Sequence, residues 1–472
     1  MKKISPPHYF IPALAALLWL PSLLTKGMFM DGLYNAIFAQ NLANGISTFW
    51  APQTNDYSNP GYWNNPPLSM FTLSCCYKIL GDHYVIDKIY SLGCAVVQLL
   101  LLVWAWRIFW CNEEEIKKYS WLPCLLWLIS PLTGWCYSNN MMENTMSVFT
   151  TSALISFLLF LRSKNHIVIY SIAGATLIFL ACLTKGPTGL FPLAIPLLFL
   201  RASKELTWKL ILCYVILQLL FFSLIAIFVF SFPEARNFLS QYIALQLGPA
   251  LNHSIKPETE THIIFKELFI MLLPFLILYF VSLFRRKEMK KINVSQAGAF
   301  ILSGLAASLP IALSMKQRKF YLLPSLPVFV LGFSILVLPI VKYIELKTVD
   351  FITERISLLI KWSCILTILA CTTICIKNKN SFSRDKSMLA DIENMLPLIG
   401  SEEAICSDWQ LYEEWSLRAY CTRYYNKKMY TPDRVAETNF YMTKPGQTGD
   451  KLLHTATKIY AGITFDLYQT EF

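Results

Sequence analysis

Long apolar stretches separated by short polar loops run through most of the chain. Several are a little shorter than the roughly 20 residues that a membrane-spanning helix requires. The pattern predicts about eleven such helices, at about 8–24, 89–110, 119–134, 146–161, 167–184, 188–201, 209–231, 266–284, 297–314, 321–340 and 357–376. The run 66–80 is short and contains Lys78, so we expect an interfacial or re-entrant segment there.

The pattern changes near residue 377, because the remaining chain has many charges and no long apolar run. In this tail we expect a helix at 391–398 and strands at 404–406, 428–430 and 459–467. The predicted fold is mainly α. A polytopic helical membrane domain covers residues 1–376, with its first outer loop at 25–88, and a small α/β domain outside the membrane covers 377–472.

Composition and charge agree with a membrane protein, since 55% of the 472 residues are hydrophobic and 15% are charged. The formal charge of +11 comes from clusters between apolar runs, such as 285–291. Such clusters fix orientation by the positive-inside rule, which disfavours nucleic acid as a partner. With Lys2 and Lys3 in the cytoplasm, the loops 135–145, 185–187, 232–265 and 315–320 lie outside, as do the first outer loop and the tail.

We therefore expect a multi-pass protein of the cytoplasmic (inner) membrane, whose first apolar run is a retained helix rather than a cleaved signal peptide. Most of the 13 cysteines lie in apolar runs without metal-ligand spacing, as small buried hydrophobes do. Cys406 and Cys421 share the hydrophilic tail. A disulfide between them stays open, because the tail is predicted to lie outside.

The first outer loop opens with a carboxylate, Asp31, close to the end of the first apolar run. Helical spacing of the apolar residues after it predicts an amphipathic helix on the membrane surface: Tyr34, Ile37, Phe38 and Leu42. Asp31 then precedes that helix directly. From spacing alone, a helix N-cap and a catalytic base both stay open for this residue.

Several cations are predicted on the outer side, where the positive-inside rule disfavours them. They are Lys185, Lys316, Arg318 and Lys319, all near helix ends. An anionic lipid head group would compensate their charge, since phosphate attracts both Lys and Arg. Interfacial snorkelling is the alternative. Glu143, the charged residue of the second outer loop, fits either a functional acid or a helix-dipole partner.

Four sequence features occur in a fixed order: the acid Asp31, the segment WNNPPL at 63–68, LTKGPTG at 183–189 and KFYLLPSLP at 319–327. With these features, residues 8–340 resemble the GT-C type glycosyltransferases of the protein-mannosyltransferase-like superfamily. The chain is similar to the bacterial aminoarabinose transferases that modify lipid A. In that family the donor is a sugar on a polyprenyl phosphate, and no nucleotide sugar is used.

The resemblance implies that Asp31 is the catalytic carboxylate and that Glu143 matches a second acidic position, so we expect both to be catalytic residues. It also implies that Lys185, Lys316, Lys319 and Tyr321 lie near the lipid phosphate. Two departures matter. Gly32 stands where many relatives have a second acid, which weakens the argument for a metal. Asn65 stands where many have Lys or His, which suggests that Arg318 neutralises phosphate charge instead.

We therefore expect an inverting membrane glycosyltransferase that moves a sugar from a polyprenyl-phosphate donor to a hydroxyl of a lipid, glycan or protein acceptor on the outer face of the membrane. The sequence assigns no cofactor with certainty, and a divalent cation shared by Asp31 and Glu143 stays open. Two rivals also remain. One is an envelope polysaccharide polymerase or ligase, and the other is a transporter or flippase of lipid-linked sugars.

Overall fold

The structure, a computed structural model, describes residues 7–54, 64–202, 206–252, 263–283, 294–348, 354–447 and 456–470. The first half of the chain forms helices α1 Pro7–Leu23, α2 Met30–Ala43, α3 Leu68–Leu80, α4 Tyr84–Phe109, α5 Glu114–Lys117, α6 Trp121–Ile129, α7 Pro131–Ser138, α8 Met142–Arg162, α9 Ile167–Lys185 and α10 Ile195–Leu198. The second half forms α11 Trp208–Phe230, α12 Pro233–Tyr242, α13 Gly248–Leu251, α14 Ile263–Leu283, α15 Val294–Ser308, α16 Leu326–Thr348, α17 Glu354–Lys377, α18 Lys386–Ile399, α19 Trp409–Tyr412 and α20 Trp415–Tyr425. The mainly α fold with a small C-terminal sheet is confirmed.

Eight helical segments within the described ranges are long and apolar enough to cross a membrane. They are Tyr84–Phe109, Met142–Arg162, Lys164–Lys185, Trp208–Phe230, Ile263–Leu283, Val294–Leu313, Lys319–Lys347 and Arg355–Lys377. Each corresponds to a predicted span. The apolar helix α3 has 13 residues, which is too short to cross a bilayer as a straight helix.

The predicted count of eleven spans is not confirmed, because three predicted spans become shorter segments. The first is the 17-residue helix α1. The span predicted at 119–134 is divided into α6 and α7 at Ser130, directly before Pro131. The span predicted at 188–201 forms a 3-10 segment, Pro187–Ala194, and the four-residue α10. Its prolines at 187, 192 and 196 remove backbone donors that a long α-helix requires.

The chain divides into two compact units. The first, which we call the membrane unit, contains Met1–Pro21, Trp63–Ser69 and Ser91–Ile374. The second, which we call the loop-tail unit, contains Ser22–Tyr62, Met70–Tyr90 and Cys375–Phe472. The tail segment of this second unit begins two residues before the predicted boundary at 377, but the unit also includes most of the first outer loop. The basic cluster 285–291, Lys2, Lys3 and Trp63 lie outside the described residues.

Neutral polar side chains join α4 to α8 inside the membrane unit. Asn144 Nδ2 donates to Ser91 Oγ at 2.8 Å. Farther along, Ser147 Oγ donates to Gln98 Oε1 at 3.1 Å, and Gln98 Nε2 donates to Thr151 Oγ1 at 3.0 Å. In a bilayer such bonds between helices satisfy groups that water does not reach. They fix the register of α8, which begins at the candidate site.

Strands from the tail form a five-stranded sheet in the order β2-β1-β3-β5-β4. The strands are β1 Ala404–Ser407, β2 Lys428–Tyr430, β3 Phe440–Thr443, β4 Thr457–Ala461 and β5 Asp466–Gln469. The central strand β1 pairs in parallel with β2 and with β3, and β5 pairs antiparallel with β3 and β4. The helix predicted at 391–398 and the first two predicted strands are confirmed. The strand predicted at 459–467 is wrong, because residues 462–465 turn between β4 and β5.

Helix α2 belongs to the hydrophobic core of the tail. Its residues Leu33 and Ile37 are buried in one cluster with side chains of the tail helices and sheet, which include Leu389, Ile392, Leu417, Tyr420 and Met442. On another face, Ala36 and Ala39 pack against Leu73 and Tyr77 of α3. The prediction of an amphipathic helix lying on the membrane surface is therefore wrong, because tail residues cover the apolar face of α2.

The structure has Cys406 and Cys421 as free, buried thiols. Cys406 lies on the central strand, where its Sγ is 3.0 Å from the carbonyl oxygen of Thr431. Burial raises the pKa of the Cys421 thiol to about 12. The disulfide that the sequence left open is therefore absent, and both side chains serve as small core residues.

Candidate active site

The first turn of α8 and the last turn of α9 bring Glu143 and Lys185 together. Lys185 Nζ lies 3.2 Å from Glu143 Oε1, and the two side chains are 10% and 1% exposed. A helix N-terminus favours a carboxylate, and a helix C-terminus favours an ammonium group. The Glu143 carboxylate therefore holds the Lys185 ammonium at the adjoining ends of two neighbouring helices.

A glycine turn directly follows Lys185. Gly186 has φ +82°, a conformation that residues with a side chain rarely adopt. A Cβ at this position would lie 2.1 Å from Tyr242 Oη, at the end of α12. Burial raises the pKa of Tyr242 to about 12, although Lys185 acts in the opposite direction. Tyr242 therefore presents a neutral hydroxyl close to Lys185 at neutral pH.

The loop before α16 supplies aromatic rings and further cations. Lys185 Nζ lies 5.4 Å from the centroid of the Tyr321 ring, and Lys319 Nζ lies 4.8 Å from that of the Trp135 ring. Trp135 itself stacks on Phe320, with ring centroids 5.8 Å apart. Such cation–π contacts hold ammonium groups without neutralising their charge.

A second polar chain connects Lys316 to the motif of the first outer loop. Lys316 Nζ donates to Gln246 Oε1 at 2.9 Å, and Gln246 Nε2 donates to Asn64 Oδ1. Gln246 lies in a π-helical turn, Ile243–Leu247, that directly follows Tyr242. Turns of this kind are frequent at functional sites.

Most predicted site residues of the membrane unit thus lie together. Glu143, Lys185 and Tyr321 are in contact, and Lys319 lies two residues from Tyr321. Lys185 and Lys316 lie beside the same segment, through Tyr242 and Gln246. Arg318 is half-buried and directly precedes the 3-10 segment Lys319–Ser325.

Tyr242, Gln246 and Trp135 are neighbours of the site that the sequence analysis missed. Tyr242 and Gln246 are four residues apart in the predicted outer loop 232–265, for which the sequence indicated no particular residue. A tyrosine and a glutamine at helical spacing were the available signal, but polar and aromatic pairs of this kind are common. Trp135 opens a predicted outer loop, where an aromatic residue is ordinary at a membrane interface.

Asp31 lies in the loop-tail unit, in the first turn of α2. The N-cap of this helix is Phe29, whose backbone is extended at φ −66° and ψ 145°, and no side chain caps it. The N-cap interpretation of Asp31 is therefore wrong, because the helix begins one residue earlier, at Met30. Asp31 is half-buried, and the helix dipole stabilises its carboxylate.

The residues do not fit a bound divalent cation well. Among the described residues, no group of three or more His, Cys, Asp or Glu side chains is placed to hold a metal ion. Glu143 already contacts the ammonium of Lys185. The Lys185 ammonium therefore already balances the charge of this carboxylate.

Comparison with known proteins identifies the fold. No protein-family model matches the chain, and no curated protein matches it in sequence. Among solved structures, ArnT from Cupriavidus metallidurans bound to undecaprenyl phosphate has a TM-score of 0.63 at 12% identity, over 97% of each chain. The apo oligosaccharyltransferase of Archaeoglobus fulgidus has a TM-score of 0.55 at 14% identity, over 93% of this chain and 66% of that one. The chain therefore has the GT-C fold.

Proposed function

We propose that this protein is a membrane glycosyltransferase that moves a sugar from a polyprenyl-phosphate donor to an acceptor hydroxyl. The observation that carries the proposal is the cation cluster around Lys185, in a chain that has the fold of ArnT. The ArnT structure was determined with undecaprenyl phosphate bound. A lipid phosphate is an anion whose charge this cluster would balance.

The charge balance of the cluster supports an anionic ligand. Lys185, Lys316, Arg318 and Lys319 come from two loops, and Glu143 is the carboxylate that contacts Lys185. The set has a net positive charge. Phosphate oxygens accept charge-assisted hydrogen bonds from Lys and Arg, and the bonds strengthen as the phosphate becomes the leaving group.

In the proposed reaction, the acceptor oxygen attacks the anomeric carbon and forms the new glycosidic bond. The bond between that carbon and the phosphate oxygen breaks, and its electron pair leaves with the polyprenyl phosphate. Asp31 accepts the proton of the acceptor hydroxyl. A single displacement of this kind inverts the anomeric configuration, and its atoms and charges balance without a nucleotide.

Glu143 acts through Lys185 in this proposal. Its buried carboxylate holds the ammonium at the turn of Gly186, so Glu143 is a positioning residue rather than a proton acceptor. This positioning role replaces the catalytic role expected for Glu143 from the sequence. Tyr242, whose hydroxyl is neutral, offers a hydrogen-bond donor beside the same ammonium.

The two rival functions make different demands. A transporter places ionisable groups near the middle of the membrane. The polar side chains that join α4 to α8 are instead neutral amides and hydroxyls that bond to one another. A polysaccharide polymerase or ligase also uses polyprenyl-linked sugars. The acceptor distinguishes it from our proposal, because its acceptor hydroxyl belongs to a growing polysaccharide.

The test is release of polyprenyl phosphate by purified protein in detergent. Wild type, Asp31→Asn and Asp433→Asn are incubated with polyprenyl-phosphate sugars and an envelope lipid extract as the acceptor source. We expect release by wild type and by Asp433→Asn, a control that removes an exposed tail acid. Asp31→Asn should lose at least about 100-fold, because general base catalysis typically contributes that much.

Two results would contradict the proposal. Equal release by wild type and Asp31→Asn would remove Asp31 from the reaction. Movement of intact donor across a liposome bilayer, without release of polyprenyl phosphate from any sugar tested, would identify a flippase instead.

A further inference from the structure

The segment between α1 and α2 leads directly into Asp31, and the tail holds it on both sides. Lys26 N donates to the carbonyl oxygen of Ser381 at 2.8 Å, and Ser383 N donates to that of Lys26 at 2.9 Å. These two segments of the chain thus form a short parallel β-bridge between Lys26 and Phe382. Lys26 Nζ also pairs with Glu393 of α18 at 2.5 Å.

Gly27 allows the tail to approach this closely. It has φ +104°, and a Cβ there would lie 2.8 Å from the backbone nitrogen of Arg384. Any other residue at this position would therefore force the two backbones apart. The Gly27 N–H donates to Tyr424 Oη at 3.1 Å, which adds a contact with α20.

Met28, three residues before Asp31, is fixed by Tyr420. Tyr420 Oη lies 2.8 Å from the Met28 carbonyl oxygen and 2.8 Å from Asp385 Oδ2, and it accepts from Met28 N at 3.3 Å. Tyr420 and Met28 are both fully buried. Burial and the Asp385 carboxylate raise the pKa of Tyr420, so its hydroxyl keeps its proton.

Asp31 therefore lies between two residues, Met28 and Leu33, that are both in contact with the tail. Met28 precedes it and bonds to Tyr420, and Leu33 follows it and packs in the core of the tail. On the same helix as Tyr420, Arg423 forms a buried ion pair with Asp87 at 2.8 Å. Helix α20 thus ties the lead-in of α2 to the first turn of α4, all within the loop-tail unit.

We propose that the C-terminal domain positions the proposed catalytic base, with Tyr420 as the positioning residue that fixes the backbone leading into Asp31. The inference rests on the proposed function, because it concerns the carboxylate that accepts the proton there. A general base must reach the attacking hydroxyl at hydrogen-bond distance, and a displacement of about 1 Å can reduce turnover about 100-fold. In this proposal the tail supports the carboxylate that accepts the proton.

The experiment compares Tyr420→Phe with Tyr460→Phe. Tyr460 makes the same type of bond elsewhere in the unit, since its Oη lies 2.9 Å from Asp391 Oδ1. Both variants lose one tyrosine–aspartate hydrogen bond. We expect Tyr420→Phe to lower kcat between about 10-fold and 100-fold with an unchanged KM for the lipid donor, and Tyr460→Phe to leave kcat unchanged.

Hydrogen exchange gives a readout that does not depend on activity. Tyr420→Phe should accelerate exchange of the Gly27 and Met28 amides relative to Tyr460→Phe, because their contacts with α20 are weakened. Gly27→Ala tests the same segment without substituting a residue of the tail. It should give the same loss of kcat in protein that binds donor normally.

The outcomes separate the two proposals. If Asp31→Asn turns over donor as wild type does, the assignment of the base fails whatever Tyr420→Phe shows. If Asp31→Asn is inactive but Tyr420→Phe and Tyr460→Phe have the same kcat per folded molecule, the inference alone is overturned. A slower Tyr420→Phe with faster exchange at Met28 supports it.

Discussion

The two units each contain a buried acid–base pair, and the pairs are built differently. In the loop-tail unit, Arg423 donates to Asp87 at 2.8 and 3.2 Å and to Asp82 at 2.8 Å. In the membrane unit, Lys185 lies 3.2 Å from one oxygen of Glu143. The first set has more carboxylates than cations, and the second lies among additional cations.

This difference is our reason for assigning a structural role to the Arg423 pair and for proposing a ligand-binding role for the Lys185 pair. Burial alone would lower the pKa of Arg423, but Asp87 outweighs it and holds the pKa above its ordinary value. A planar guanidinium bound in this way is fixed. The ammonium of Lys185 is a rotatable group with three donors, and its surroundings retain net positive charge, which an incoming phosphate can neutralise.

The greatest loss of stability should come from breaking the structural pair of Arg423 and Asp87. Arg423→Met leaves the buried Asp87 without its partner, and it should destabilise the loop-tail unit by about 3–5 kcal/mol. Arg434→Met is the control, because Arg434 pairs with Glu437 at the surface and such pairs contribute little. Chemical denaturation followed by near-UV circular dichroism measures both. Equal stability of the two variants would contradict the structural assignment.

The second prediction concerns the stability that the Lys185–Glu143 pair contributes, apart from any role in ligand binding. Lys185→Met alone leaves Glu143 buried without its cation, and it should cost about 3 kcal/mol in the free energy of unfolding. Adding Glu143→Gln removes the excess charge and should restore most of that loss. Thermal unfolding in detergent checks this cycle. A double variant that is less stable than Lys185→Met would show that the two residues do not act as a pair.

A smaller effect is expected at Lys316, which bonds to a neutral amide rather than a carboxylate. Lys316→Met should weaken binding of undecaprenyl phosphate about 5-fold, or about 1 kcal/mol, because it removes one of several cations. Lys118→Met, which breaks an exposed pair with Glu345, is the matched control. Unchanged affinity in Lys316→Met would remove Lys316 from the phosphate site.

The smallest effect concerns two buried asparagines of α2. Asn41 Nδ2 donates to the carbonyl oxygen of Gln53 at 2.7 Å, whereas neither amide atom of Asn35 has a hydrogen-bond partner among the described residues. A buried amide without a partner costs stability, so Asn35→Leu should stabilise the protein by about 1 kcal/mol and Asn41→Leu should destabilise it. Thermal unfolding measures both. A loss of stability in Asn35→Leu would show that this amide is satisfied, as by an ordered water.

Sequence patterns predicted the parts of this fold that depend on local chemistry. Apolar runs of sufficient length identified the eight long spans, because burial in lipid requires them. The pattern failed at 188–201, where prolines prevent a continuous helix although the composition is apolar. Charges at helix ends drew attention to Lys185 and Glu143, and these two side chains are in contact.

The remaining features depend on contacts between distant parts of the chain. Leu33 and Ile37 have the spacing of a membrane-facing helix, but they pack in the core of a tail that begins more than 300 residues later. Gln246 contacts Lys316 and Asn64 through the folded chain alone. The sequence pattern could not predict such pairings, because it records spacing along one element rather than proximity between elements.

Binding of undecaprenyl phosphate is the decisive test of the cation cluster around Lys185. The Glu143→Gln, Lys185→Met double variant and Arg434→Met are compared with wild type by native mass spectrometry of protein in detergent. We expect wild type and Arg434→Met to bind one lipid phosphate with the same affinity. The double variant should stay folded and bind at least about 10-fold more weakly, a loss of about 1.4 kcal/mol. Equal affinity of the double variant and wild type would contradict the assignment of this cluster as the lipid-phosphate site.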